Sequence, residues 1–267
     1  MSNEHVWGKW LRPYAQAAMR KHHFYAERIN RPWEPSTATA TLRAGDPVHN
    51  SKVRVVCKDC NSGWLSVIQE RAKPILIPLI QGKPTTLGDE AQQIVATWCA
   101  MATMTGEFLD KEPAAGTIAV SQAEREWLWK NGTPPSEGWR IWIARFQRNK
   151  WPGRWVHLVV PILEAKHVPS SALDDYPPPN TQTTTFVIGD LYVHVMSTSG
   201  NPDLVSCWVW PIASRPGRLL IQIWPARESV ITWPSESLTD GDADLIATAY
   251  DRVIDAASRS LLGRRIF

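Results

Sequence analysis

Two short stretches of the chain hold the residue types that could do chemistry. One is the acid–histidine pair Glu4-His5, and the other is the Cys57-x-x-Cys60 turn with Asn61 directly after it. The spacing of the cysteines suits two ligands of a structural zinc site. It also suits two ordinary reduced cysteines in a tight turn. In the same way, His5 taken alone could be a surface histidine, and Asn61 could be only the N-cap of the helix that follows.

The elements around the cysteines are predicted to be a strand, a turn and a helix. Residues 52–56 are a short run rich in β-branched side chains, which favours a strand. After Asn61, apolar residues recur at helical spacing, and Pro74 and Pro78 are expected to end or kink that helix. Further helical patterns occupy residues 13–28, 86–109 and 121–131. The first part of the chain should therefore be mixed and mainly helical.

The character of the chain changes to β after Pro134-Pro135. Runs rich in tryptophan and β-branched residues alternate with turn signals, among them the two-residue hairpin loop Gly189-Asp190. A helical pattern that begins near Asp240 closes the chain. We therefore predict an α+β fold with two lobes, a mixed lobe over residues 1–133 and a Trp-rich, mainly antiparallel β lobe with a C-terminal helix over residues 134–267.

The composition narrows the class of protein. Apolar residues make up 43% and charged residues 21% of the chain, which are globular values. A net charge of +3 permits an acidic partner such as nucleic acid without demanding one. Cys99 and Cys207 lie in apolar contexts typical of buried free thiols, so a reducing compartment fits better than a disulfide scaffold. Without a leader or a long apolar run, the protein is expected to be cytoplasmic, with no membrane contact.

Two motifs together suggest a family. The stretch E-H-V-W-G-K-W-L at residues 4–11, followed by V-C-K-D-C-N-S-G-W at residues 56–64, resembles the HNH (ββα-metal) endonucleases of bacteria and phages. The resemblance covers about residues 4–73. It implies a small ββα-metal-like core in which the acid–histidine pair lies on the first strand, the cysteine turn follows the second strand, and the helix carries the last metal ligand. It also implies metal-dependent cleavage of phosphodiester bonds in nucleic acid, with DNA as the expected substrate.

The resemblance assigns a catalytic role to four residues. Cleavage needs a water made nucleophilic and a leaving oxygen relieved of its developing charge. By resemblance, His5 would be the general base, Glu4 a metal ligand and Asn61 the second protein ligand. Such oxygen donors suit Mg²⁺ or Mn²⁺ better than Zn²⁺. Asn50 is the candidate for the asparagine that orients the catalytic histidine in relatives, and the alternative is that this chain has no such residue.

Structural zinc is a separate question. Many relatives bind zinc through two C-x-x-C pairs, and the first pair precedes the acid–histidine motif. Only three residues precede Glu4 in this sequence, so no upstream pair is expected. Cys57 and Cys60 would need two further ligands to hold zinc, or they shape the turn without metal. The local options for those ligands are His22, His23 and His49.

Basic residues supply candidate contacts to phosphate. Arg54 and Lys58 lie next to the predicted catalytic motif. A second basic stretch is interleaved with aromatic residues and would suit phosphate contacts together with base stacking. Its members are Arg145, Arg148, Lys150 and Arg154. A solvated hairpin tip is the alternative interpretation of this stretch.

A second function from a different class stays open at this point. The chain could be a catalytically inactive, HNH-derived module that binds nucleic acid, or one that binds a protein partner through its Trp-rich lobe. The expected lack of an upstream cysteine pair and of a clear middle asparagine favours this alternative.

Overall fold

A computed structural model describes most of the chain. The described residues are 2–5, 8–15, 22–28, 37–43, 52–109, 118–147, 155–160, 179–200, 219–234, 236–247 and 249. Within these ranges the fold is α+β, as predicted, and combines helices with antiparallel sheet.

The described elements alternate between strands and helices through the first half and are mainly strands afterwards. The strands are β1 (Ser2–His5), β2 (His22–Arg28), β3 (Thr37–Arg43), β4 (Lys52–Val56), β5 (Thr85–Gly88), β6 (Trp139–Phe146), β7 (Trp155–Val160), β8 (Thr181–Ile188), β9 (Leu191–Thr198), β10 (Ile221–Trp224), β11 (Val230–Trp233) and β12 (Ser237–Leu238). The helices are α1 (Arg12–Ala15), α2 (Lys58–Cys60), α3 (Ser66–Ile80), α4 (Asp89–Gly106), α5 (Gln122–Asn131) and α6 (Asp240–Ala247).

One large sheet dominates the molecule. Its strand order is β10-β6-β9-β8-β7-β2-β3, and β12 pairs with β6 beside it. The pairings are antiparallel except for β2 with β7 and β12 with β6, which are parallel. The predicted hairpin loop is present, since Gly189 has φ 58° and joins β8 to β9. This left-handed conformation is one that glycine adopts without steric cost.

Both faces of the central strands of the large sheet are covered. Alternate side chains of β6 point to opposite faces, as the strand period requires. Ile141 and Ile143 belong to a core cluster shared with helices α3 and α4, whereas Trp142 and Phe146 belong to a second cluster that includes Ala243 of α6. All residues of β8 and β9 are buried, because these strands have core residues on both of their faces. The strands therefore form the middle layer between helices.

Strands from the two predicted lobes pair with each other. β2 lies beside β7 in the large sheet, and β5 pairs with β11 in a separate two-stranded sheet. One core cluster extends from Leu11 to Trp233 and includes residues of α3, α4, β6 and β9. The large sheet and the main core therefore both contain residues from each side of the boundary that the sequence predicts between residues 133 and 134.

Two local predictions differ from the structure. Of the helix expected over residues 13–28, the described residues contain the turn α1 (Arg12–Ala15), whereas residues 22–28 form β2, because β3 and β7 on either side supply partners for its backbone groups. Helix α3 also continues through Pro74 and Pro78. Pro74 is exposed and Pro78 is half-buried, whereas Leu76 and Leu79 are buried, so the carbonyls that lose amide partners lie toward solvent, where water can satisfy them.

The third predicted helix is confirmed in detail. Ser121 is the N-cap of α5, its hydroxyl accepts the Glu124 N–H at 3.2 Å, and the Glu124 carboxylate accepts the Ser121 N–H at 2.7 Å. This is the reciprocal capping box that the Ser-x-x-Glu spacing predicts. The helix ends at Gly132, which has φ 63°. No helix in the described part of the chain is long and apolar enough to cross a membrane.

Candidate functional site

The strand that carries Glu4 and His5 lies beside the strand that leads into the cysteine turn. β1 and β4 pair antiparallel, with Glu4 opposite Val53 and His5 opposite Lys52. Ser2 lies opposite Val56 at the other end of this ladder, next to the turn. The backbone thus places the strand of Glu4 and His5 beside the strand that leads into the cysteine turn, with this pair at the end of the ladder away from Cys57. The side chains of Glu4 and His5 lie outside the described residues, so their distance to Asn61 stays a prediction.

The cysteine turn is closed by its own backbone and thiol. Cys57 has extended dihedral angles, φ −70° and ψ 160°, and its sulfur accepts the Cys60 N–H at 3.1 Å. The Asn61 N–H donates to the Cys57 carbonyl at 3.0 Å, as in the first turn of a helix. Cys57 is exposed and Cys60 half-buried. Cys57 therefore caps this turn and sets the direction of the chain that follows.

Asn61 is part of the helical stretch and is not its N-cap. It has helical dihedral angles, φ −63° and ψ −50°, and is half-buried. The N-cap interpretation of Asn61 is therefore wrong at this position, because Cys57 already satisfies that role. A distorted turn, Asn61–Leu65, joins the cysteine turn to α3, and Gly63 within it departs from helical geometry with ψ −115°.

The two thiols influence each other. The hydrogen bond from the Cys60 thiol lowers the pKa of Cys57, and the backbone N–H of Cys60 acts in the same direction. The same thiol–thiol contact raises the pKa of Cys60, which the neighbouring Trp64 indole partly opposes. In the reduced turn, Cys57 is therefore the cysteine that ionises first.

The segment after His5 is anchored on helix α3. The Trp10 indole N–H donates to the Gln69 side-chain carbonyl at 2.9 Å, and the buried Trp98 indole donates to the same oxygen at 3.0 Å. Gly8 passes so close that an added Cβ would lie 2.8 Å from this oxygen and 2.5 Å from the Trp10 indole nitrogen. Leu11 is buried in the main core. The chain that carries Glu4-His5 is thus held against the helix that follows the cysteine turn.

A groove lies beside the cysteine turn. A cavity of about 340 Å³ is bounded by both cysteines and by apolar residues of β4, α4 and α5, including Met101, Met104 and Trp129. A second cavity of about 220 Å³ adjoins it, and Trp64, Leu128 and Trp129 line both. Trp129 is 56% exposed although it is a large aromatic side chain.

A buried ion pair supports the far wall of this groove. The fully buried Glu107 carboxylate accepts hydrogen bonds from Arg125 and from the backbone N–H groups of Ala119 and Val120. Burial raises the pKa of Glu107 to about 7, and the Arg125 guanidinium is the main group that opposes this rise. Arg125 also lies 4.8 Å from the centre of the Phe108 ring. These contacts satisfy both partners and indicate a structural role.

The described residues do not assemble a complete metal site. Among them, no group of three or more His, Cys, Asp or Glu side chains comes together. Asn61 and the cysteines are present at the turn, whereas the side chains of Glu4 and His5 are not described. His22 and His23 belong to β2 of the large sheet, and their side chains are likewise not described. Asn50 and His49 lie outside the described residues.

The basic candidates fall in separate parts of the molecule. Lys58 is exposed on the cysteine turn, and Arg54 lies on β4 with its side chain outside the described residues. Arg145 belongs to β6 of the large sheet, where its guanidinium lies 3.9 Å from the Asp190 carboxylate. The other three members of that stretch, Arg148, Lys150 and Arg154, lie outside the described residues.

Two histidines of the large sheet make hydrogen bonds inside the fold. His157 Nδ1 lies 2.7 Å from the Thr184 hydroxyl, and His194 Nδ1 lies 2.7 Å from the Thr185 hydroxyl. Both side chains are buried. They belong to the core and not to the candidate site, as their position within strands predicts.

Comparisons with family models, curated proteins and solved structures give no match for this chain. The HNH resemblance and the function it implies are therefore proposals, argued from the residues and their placement.

Sequence reasoning missed Gln69 as a residue of this region. A glutamine in the middle of a helical pattern carries no signal for two tryptophans that approach from other elements. The Glu107–Arg125 pair was missed for the same reason, since its partners come from the ends of two different helices. Trp127 and Trp129 are a signal that the sequence does contain, since they lie two residues apart on one helix. Both are exposed near the site.

Proposed function

We propose that this protein is a metal-dependent, HNH-like endonuclease that cleaves phosphodiester bonds in nucleic acid, with duplex DNA as the expected substrate. The observation that carries the proposal is the antiparallel pairing of β1 with β4. This pairing sets the strand of Glu4 and His5 beside the strand that enters the Cys57–Cys60 turn. The HNH resemblance requires this arrangement, and the two motifs are far apart in sequence.

The contacts of Gln69 support the same proposal. The bond from Trp10 ties the segment that follows His5 to α3, the helix that follows the Asn61–Leu65 turn, and the bond from Trp98 ties the same oxygen to α4. An active site assembled from β1 and from the start of this helical stretch needs such a tether. A misplacement of only about 1 Å is enough to reduce catalysis severely.

The proposed chemistry divides between His5 and the oxygen donors. His5 would accept the proton of the attacking water, a contribution of roughly 10²–10⁴ in rate. The Glu4 carboxylate and the Asn61 carbonyl oxygen would hold the ion. Bound Mg²⁺ or Mn²⁺ supplies charge stabilisation for the phosphate and the leaving oxygen. Lys58, exposed on the cysteine turn, would contact substrate phosphate.

Plasmid cleavage tests the catalytic claim. We expect purified protein to nick supercoiled plasmid in Mg²⁺ or Mn²⁺, chelation to abolish nicking, and His5→Ala to slow it by about 100-fold or more. Binding of the plasmid by His5→Ala should be retained, which separates lost chemistry from lost folding. Equal nicking by both proteins, or none by either in any metal, would overturn the proposal.

A matched pair of lysines tests where the substrate lies. Lys58 and Lys83 are both exposed, but Lys83 follows the opposite end of α3. Lys58→Ala should weaken binding and reduce the slope of log affinity against log salt by about 1, because one phosphate contact is lost. Lys83→Ala should leave both unchanged. Equal effects of the two substitutions would remove Lys58 from the proposed site.

The alternative function is binding without cleavage. The exposed indoles of Trp127 and Trp129 favour it, since exposed aromatic side chains suit stacking on bases or contact with a protein. Filter binding over a salt series separates the two functions. A steep salt dependence without any nicking supports a nucleic-acid-binding module, and no affinity for nucleic acid indicates a protein partner.

A further inference from the structure

The Cys57-x-x-Cys60 turn has the geometry of a reactive dithiol. Cys57 caps the turn, and its sulfur accepts the N–H of Cys60 at 3.1 Å. Cys57 is the N-cap and Cys60 the third residue of the same turn, and both side chains border one cavity. A disulfide requires the two sulfurs to approach to about 2.0 Å, which a local adjustment of this single turn can supply.

The surroundings give the two sulfurs different access. Cys57 is exposed and Cys60 is half-buried, and both border the cavity of about 340 Å³ between the turn and helices α4 and α5. A small oxidant can reach Cys57 directly from solvent. Cys60 is less exposed and lies on the same turn, from which its sulfur can attack the Cys57 sulfur of a mixed disulfide. By contrast, Cys99 is fully buried in α4 and is closed to such reagents.

The chain after the turn can absorb a change of shape. Gly63 lies between the cysteine turn and α3 with non-helical dihedral angles, φ −94° and ψ −115°, and no atom comes within 4 Å of where its Cβ would be. A tightened turn can thus be accommodated at Gly63 without disturbing the packing of α3. The first residue between the turn and Gly63 is Asn61, whose N–H is bonded to the Cys57 carbonyl.

We propose that Cys57 and Cys60 are a reversible dithiol–disulfide site, which low-molecular-weight disulfides of the oxidised glutathione class oxidise. Cys57 sulfur attacks one sulfur of the small disulfide, forms a mixed disulfide and releases one small thiol. Cys60 sulfur then attacks Cys57 sulfur and releases the second small thiol. The two cysteines lose two electrons and two protons, and the small disulfide gains them. A second consequence rests on the proposed function: with Asn61 as a metal ligand of the nuclease, the bond would also regulate that site.

The disulfide is tested by mass, without nucleic acid or metal. Reduced protein is equilibrated with oxidised glutathione, unreacted thiols are alkylated, and the intact protein and its peptides are weighed. We expect complete loss of alkylation at Cys57 and Cys60, no retained glutathione, and full reversal by excess reduced glutathione. Cys60→Ser should instead retain one glutathione on Cys57. Cys99→Ser, the matched control, should form the Cys57–Cys60 bond as the natural sequence does.

Three outcomes would overturn the proposal. Cys57 and Cys60 could remain alkylated under oxidising conditions, or each could carry glutathione without pairing. Tightly bound zinc that protects both thiols from the reagent would also contradict it. Because the readout is mass, a failure of the proposed nuclease function appears separately, as a lack of nicking by both the oxidised and the reduced protein.

Discussion

At the scale of single residues, Gln69 joins the segment after His5 to the main core. Its side-chain oxygen accepts hydrogen bonds from Trp10 and Trp98. Gln69→Leu removes the acceptor from both indoles, and we expect the free energy of unfolding to fall by about 2–4 kcal/mol. Gln69→Glu keeps an acceptor oxygen and should be much less destabilising. Urea denaturation measures both, and equal losses would contradict the role of the shared oxygen.

His194 makes the stability of the protein sensitive to acid. Burial lowers its pKa from the ordinary 6.5 to about 3, so the unfolded chain binds a proton below pH 6.5 that the folded protein does not bind. Its contribution to the free energy of unfolding is therefore fully present above pH 6.5. That contribution is lost as the pH falls toward 3, because the proton binds the unfolded chain more tightly. At about 1.4 kcal/mol per pH unit, the loss is roughly 3 kcal/mol between pH 6.5 and 4.

Denaturant titrations at a series of pH values measure this effect. His194→Phe should remove that part of the pH dependence, since phenylalanine has no proton to bind. Thr185→Val is the matched control, because it removes the hydrogen bond to His194 Nδ1 but keeps the imidazole. The control should lower stability and keep the acid sensitivity. An unchanged pH dependence in His194→Phe would assign the effect to other groups.

At the scale of elements, helix α5 is held by its first turn. Glu124 closes the capping box with Ser121, and its second oxygen accepts the indole N–H of buried Trp139 at 2.8 Å. Ser121→Ala should cost about 1 kcal/mol, the usual value of an N-cap. Glu124→Ala should cost about 1–3 kcal/mol more, because it also leaves a buried indole without this acceptor. Unfolding midpoints in urea compare the two, and equal costs would rule out the link to β6.

At the scale of the whole molecule, the pairings across the predicted boundary should make unfolding a single event. β2 with β7 and β5 with β11 join the two halves, and the main core contains residues from both. We expect tryptophan fluorescence and far-ultraviolet circular dichroism to report one coincident transition. A fragment of residues 134–267 should not fold by itself. Two separate transitions, or a folded fragment, would support independent lobes.

The sequence by itself determined the features that depend on near neighbours. The Ser121 capping box, the Gly189-Asp190 loop, the strand–turn–helix order around Cys57 and the α+β class all follow from signals within a few residues. Such signals predict the structure correctly because the groups that hydrogen-bond to each other lie on the same turn or the same hairpin.

Only the tertiary structure decided what depends on distant partners. Residues 22–28 form a strand because β3 and β7 hydrogen-bond to its two edges. The local sequence pattern does not indicate those neighbours. Gln69 gains its role because two tryptophans from other elements converge on one oxygen. The pairing of β1 with β4, on which the proposed function depends, is of the same kind. The sequence specifies the residue types, but hydrogen bonds between segments that are distant in sequence determine which residues come into contact.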